Sequence, residues 1–95
     1  MVENQEKNIQ NKIAIVTGGS RGIGSSIVQK LAQNGFEVVL NYNSSYEQAK
    51  QIAMTNSNIH IFKADVSKYE EVCNLVNFTI NKFGKIDLLV NNAGI

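Results

Sequence analysis

From Ile13 to Val16 the chain is continuously apolar and rich in β-branched residues, the pattern of a strand covered on both faces, as in a parallel sheet. Gly18, Gly19, Gly22 and Gly24 interrupt it at once. Beyond them the apolar positions take helical spacing, with Ile23, Ile27 and Leu31 on one line and Val28 and Ala32 beside it. That helix is predicted to end at Asn34, with Gly35 as a left-handed cap. The cadence then repeats. Val38 to Leu40 predicts a second strand, and a helix follows over about residues 45–54, opened by Ser44 or Ser45 in a capping box toward Glu47 or Gln48. Ile59 to Phe62 predicts a third strand. Ser67 with Glu70 reads as another capping box before a helix that closes at Gly84, its stripe Val72, Val76, Ile80 and Phe83 expected to pack on a sheet. Ile86 to Val90 predicts a fourth strand, ending in Asn91-Asn92-Ala93-Gly94.

Four strands alternating with three helices predict right-handed βαβ crossovers and a doubly wound α/β sheet, strand order 3-2-1-4, with helices on both faces. Residues 1–11 are expected to form a flexible polar tail and residues 12–95 a partial dinucleotide-binding domain. A doubly wound sheet normally continues past its fourth strand. The chain is therefore expected to be the N-terminal half of such a sheet, with the fourth strand as an uncovered edge.

Composition narrows the function classes. Hydrophobic residues at 43% and charged residues at 18% suit a globular domain rather than a disordered chain. A net charge of +1 without adjacent basic residues lacks the electrostatic footprint of a nucleic-acid or membrane-surface binder. Cys73 is the one cysteine and cannot form an internal disulfide, and the polar first residues lack the apolar stretch of a signal peptide, so a cytoplasmic setting is expected.

Candidate chemistry gathers in Thr17-Gly18-Gly19-Ser20-Arg21-Gly22-Ile23-Gly24. A glycine loop between a first strand and a helix is where this architecture binds phosphate, on backbone N–H groups at the positive end of the helix dipole. The spacing G-x-x-x-G-x-G departs from the general G-x-G-x-x-G fingerprint, and a glycine-rich turn alone is more often only a turn. About 20 residues on, where such sites usually carry an acidic residue for the adenosine ribose, stands Asn41-Tyr42-Asn43-Ser44. Amides, hydroxyls and the nearby Arg21 could donate to a 2′-phosphate that a carboxylate would repel. The loop therefore favours NADP(H) over NAD(H), while Asn43 and Ser44 also suit a simple turn and cap.

Three motifs, Thr17-Gly18-x-x-x-Gly22-Ile23-Gly24, Asp65-Val66 and Asn91-Asn92-Ala93-Gly94, closely resemble the short-chain dehydrogenases/reductases in order and spacing. Val16 to Gly24 with the following Leu40 to Ser45 looks most like the β-ketoacyl-acyl-carrier-protein reductases. The resemblance implies a Rossmann fold, carbonyl reduction or alcohol oxidation, a nicotinamide dinucleotide partner and a homo-oligomeric full-length parent. It places Gly18, Ser20, Arg21, Gly22, Ile23 and Gly24 along the pyrophosphate and ribose, Asn41 and Ser44 beside the 2′-phosphate, and Asp65 and Val66 at the adenine. Asn91, Ala93 and Gly94 fall beside the ribose. For Asp65-Val66 alone, a strand end leading into the Ser67 cap is the plainer reading. The family's catalytic serine, tyrosine and lysine follow its fifth strand, so no catalytic residue is expected within these 95 and the chain alone is expected to be inactive. Alternatives from other classes are a non-catalytic NADP(H)-binding module and a non-functional remnant.

Tyr46 and Lys50 have the Tyr-x-x-x-Lys spacing of the missing catalytic pair, but they follow strand two, toward the adenosine end, and no serine precedes them at suitable distance. Any such pair shares a helix face. His60 lies in an apolar strand without a partner at ligand spacing, so a core or edge histidine is expected and no metal site. Cys73 reads as an inert thiol, and Glu70 and Glu71 as helix-dipole charges.

Overall fold

A computed structural model describes residues 11–93, so most of the expected tail, and Gly94, lie outside the described residues. The strands are β1 (Ile13–Thr17), β2 (Glu37–Tyr42), β3 (Ile59–Lys63) and β4 (Leu88–Asn91). Between them run α1 (Gly22–Gln33), α2 (Tyr46–Ala53) and α3 (Tyr69–Phe83). All pairings are parallel and the order is β3-β2-β1-β4, as the alternation of elements predicts.

Period-two side-chain placement sorts the strands onto two cores. Val16, Val38 and Leu40 join Val28 and Ala32 of α1 and Ala49 of α2 on one face, while Ile15 and Val39 join Leu75 of α3 on the other. The chain steps from β1 to β3 with its helices on one face, then returns past β1 to β4 with α3 on the opposite face. Crossovers of one hand require that change of face when the direction of winding reverses. The reversal leaves the carboxyl ends of β1 and β4 side by side with loops diverging above and below, the crevice in which such sheets bind ligands.

Helix ends follow local rules more closely at one terminus than at the other. At α1's end Gly35 (φ +90°) donates to Ala32 O and Phe36 N donates to Leu31 O, both at 3.1 Å, the paired bonds of a Schellman cap. The expected N-terminal capping boxes are absent. Ser45 precedes α2 without a side-chain cap bond, and Lys68, not Ser67, precedes α3. Ser67 instead turns its hydroxyl back to Asp65, and Glu71 reaches the Asp65 N–H, so both side chains serve the approach to the helix rather than its first turn.

Two apolar expectations also change. Ile23 is 72% exposed, because α1 buries Gly24, Val28 and Ala32, leaving Ile23 on the lip of the glycine loop. In α3 the buried line is Leu75 and Thr79, the latter bonding its hydroxyl to Leu75 O at 2.9 Å. Val76 and Ile80 are rolled outward, and an open apolar groove of about 270 Å³ runs between α3 and β4 beside Val76 and Leu89. Among the described residues no helix is long and apolar enough to cross a membrane.

Candidate functional site

The carboxyl ends of β1, β2 and β4 meet at the glycine loop, and uncharged side chains brace it. Thr17, the last residue of β1, accepts at its hydroxyl from Asn92 N (3.0 Å) and Ala93 N (3.1 Å) and donates toward Asn91 Oδ1 (3.2 Å). Asn92 donates from Nδ2 to Gly18 O at 3.0 Å. From the other side Asn41 Oδ1 accepts from Gly18 N at 3.2 Å, while Asn41 Nδ2 donates to Ala64 O at 3.0 Å. Gly18 is thus held at both its N–H and its carbonyl, in a left-handed conformation (φ +64°).

The glycines serve different needs. A Cβ on Gly24 would lie 2.5 Å from both Gly18 O and Asn92 Nδ2, and one on Gly18 would meet the Ala93 backbone at 3.1 Å. Those two positions are closed by the protein's own packing rather than kept clear for a phosphate. Gly22 has open space around it but sits at φ +56°, so backbone conformation alone selects glycine there.

α1 begins from extended Arg21 with no side-chain cap bond and no acidic residue in its first turn. Its N–H groups and dipole are therefore not answered by a local carboxylate. The loop opens on two adjoining pockets. One, of about 300 Å³, is lined by Ser20, Arg21, Asn43, Ser44 and Ser45 together with Gly18, Tyr42, Asn92 and Ala93, and none of these is acidic. The other, of about 510 Å³, lies between Gly18 and the β3 exit, with Asp65, Val66, Asn91 and Ala93 in its wall. Within it the Ser67 hydroxyl (2.7 Å) and then the Ser67 N–H (3.0 Å) bond Asp65 Oδ1 and hold the carboxyl below its ordinary range, with smaller help from Lys68 and Lys63. Asp65 is consequently ionised at neutral pH.

The structure brings together Gly18, Ser20, Arg21, Ser44, Asp65, Val66, Asn91 and Ala93 around these pockets, with Gly22, Ile23 and Gly24 forming the loop's exit into α1. Asn41 also borders the larger pocket, though its residue is only 2% exposed and its amide is engaged with backbone on both sides. Ser45 is an addition to the lining. Thr17 and Asn92 belong to the motifs already read from the sequence, but their bonding partners, 74 to 76 positions away, are visible only in the fold. Tyr46 and Lys50 fall on α2, after β2, as their position in the chain requires.

Away from this rim, His60 Nε2 lies 2.7 Å from Glu37 Oε1, with its ring edge-on to Phe83 at 5.1 Å between centroids. That is a half-buried strand histidine in a structural pair. Cys73 is half-buried on α3.

Comparison with known proteins agrees with this geometry. Residues 12–95 match the family model described as short chain dehydrogenase. A hydroxynaphthalene reductase-like protein Arp2 from Metarhizium guizhouense is 40% identical over 97% of this chain, and the 3-oxoacyl-[acyl-carrier-protein] reductase FabG of Staphylococcus epidermidis is 42% identical over 90% of it. In both cases the chain spans 36% of the relative's length. Among solved structures, a putative 3-oxoacyl-reductase from Bacillus thuringiensis superposes with a TM-score of 0.84 at 31% identity. A Serratia marcescens short-chain dehydrogenase/reductase gives 0.84 at 38% identity. Each covers 90% of this chain, which covers 37% of either structure. Fold, loop geometry and sequence agree that the chain belongs to the short-chain dehydrogenase/reductase family.

Proposed function

We propose that residues 12–95 form the cofactor-binding half of an NADP(H)-dependent short-chain oxidoreductase that interconverts carbonyls and alcohols. A 3-oxoacyl thioester is the substrate class suggested by the name of the staphylococcal relative. The observation that carries this reading is the start of α1. A helix N-terminus without a local acidic partner opens beside a polar pocket that holds Arg21, Asn43 and Ser44 and no carboxylate. Such a donor set fits a phosphorylated ribose next to a pyrophosphate.

Each residue then has a part in binding. The backbone from Ser20 to Gly24 takes the pyrophosphate, Arg21 and Ser44 the 2′-phosphate, and Asp65 and Val66 the adenine. Asn91, Ala93 and Gly94 border the ribose. Ile23, exposed on the lip, offers an apolar surface to the cofactor's far half. The nicotinamide supplies or accepts the hydride when bound. Proton transfer to the developing alkoxide needs a separate donor, which the family provides after its fifth strand, so these 95 residues alone are proposed to bind cofactor without turnover.

Isothermal titration of NADPH and NADH against the chain and its Arg21→Ala variant tests the reading. NADPH is expected to bind more tightly than NADH, and Arg21→Ala to weaken NADPH about tenfold more than NADH, the size expected for one charge-assisted phosphate contact. Equal losses for the two cofactors would overturn the NADP(H) assignment. If neither cofactor binds, the cofactor reading itself is overturned.

A further inference from the structure

We infer that Asn41 is a positioning residue, a single buried amide that locks the pyrophosphate loop to the adenine wall and so fixes the distance between the pyrophosphate and adenine parts of the nucleotide site. This rests on the cofactor reading above for its purpose, though not for its geometry.

The physical need arises where the sheet stops. Ladder bonds hold β1, β2 and β3 together only as far as the strands run, and β1 ends at Thr17 while β3 ends at Lys63. Beyond those residues the two flanking loops diverge from β2. Asn41, near the end of the central strand, extends the pairing to both sides. Its backbone carbonyl accepts from Gly19 N at 3.0 Å, its Oδ1 accepts from Gly18 N at 3.2 Å, and its Nδ2 donates to Ala64 O at 3.0 Å. Gly18 opens the phosphate loop, and Ala64 immediately precedes Asp65 and Val66.

Asparagine suits this place because its planar amide carries an acceptor on one side and two donors on the other. The orientation is fixed by its surroundings, since an N–H faces Oδ1 and carbonyls face Nδ2. Aspartate would keep the acceptor for Gly18 but turn a charge on the Ala64 carbonyl. Leucine, of similar shape, would take the partner from the half-buried Gly18 N–H and remove the side-chain donor to the Ala64 carbonyl. The amide is neutral, so it braces the loop without setting a negative charge beside the phosphates.

Amide hydrogen exchange and chemical shifts of the full chain by NMR, with Asn41→Leu and Asn41→Asp, separate these roles without any ligand. In Asn41→Leu the Gly18 amide is expected to exchange at least tenfold faster while the β1 and β2 core amides keep their protection. In Asn41→Asp the Gly18 amide is expected to stay protected, while the Ala64 carbonyl and Asp65 amide resonances shift. NADPH affinity should fall about tenfold in Asn41→Leu, the effect of one lost buried bonding arrangement. Unchanged Gly18 exchange or unchanged NADPH affinity in Asn41→Leu overturns the inference. If the leucine variant does not fold, Asn41→Asp decides: unmoved Ala64 and Asp65 resonances overturn it. Should the parent chain bind neither NADPH nor NADH, the cofactor reading fails while Gly18 exchange still decides whether Asn41 holds the loop.

Discussion

The glycine loop and the opposite rim of the sheet are braced by opposite chemistry. At the carboxyl ends of the strands, Thr17, Asn41 and Asn92 brace the glycine loop with hydroxyl and amide groups that carry no charge. At the amino ends, charged side chains do the equivalent work. Asp87 accepts from Ile13 N at 2.7 Å and pairs with Lys85 at 3.1 Å, and Glu37 joins His60 to Asn11. Either chemistry can close gaps between parallel strands. Only the neutral version leaves the potential at α1's N-terminus free to favour an anion, the property on which the proposed cofactor site depends.

Substitutions can break this contrast, beginning with the tightest packing. Gly24→Ala should have the largest effect, because its Cβ would strike backbone at Gly18 and the Asn92 amide. A loss of about 3 kcal/mol in chemical denaturation is expected, together with loss of NADPH binding. Thr17→Val keeps shape but removes the acceptor shared by Asn92 and Ala93. It should cost about 1 to 3 kcal/mol and weaken NADPH. A valine chain as stable and as tight-binding as the parent would show that the hydroxyl is not the link between β1 and the segment after β4.

Asp87→Asn sharpens the comparison from the opposite rim, and its effect should be the smallest. The bond from Ile13 N, and then Lys85, hold the Asp87 carboxyl below its ordinary value. A carboxyl lowered on folding contributes stability that is fully present above its unfolded pKa, near 4, and is lost as pH falls through the folded value. Stability of the parent should therefore fall on acidification below about pH 4, and Asp87→Asn should flatten that fall. Asp65, similarly lowered, will retain its own share. NADPH affinity at neutral pH should be unchanged in Asp87→Asn, as expected for a residue at the far rim.

Strands and their order could be read from the chain because the evidence for them is local. Ile13 to Val16 announces a doubly covered strand, and glycine breaks and period switches follow at the right places. Groups whose geometry depends on distant segments were less legible. Helical spacing marked Val76 and Ile80 as core, but the roll of α3 is set by its contact with Ile15 and Val39, far away in sequence. Ser67 had the sequence of a cap, yet Asp65 offered its hydroxyl a closer partner. Asn41 was recognised as part of the site from the resemblance and its position near the end of β2. Its actual use of both ends of one amide required Gly18 and Ala64, each 23 residues away, to be seen in place.

The strand order has a consequence in time. Of the four described strands β1 is the first to be synthesised and β4 the last, yet they are neighbours, and the Thr17 hydroxyl receives its amide donors from residues 92 and 93. During translation β1, β2 and β3 can pair while the glycine loop still lacks the partners that hold Gly18 O and Thr17 in place. The loop therefore acquires its final shape only after residue 93 has cleared the ribosome, and a nascent chain stalled earlier presents a sheet whose glycine loop is still unbraced.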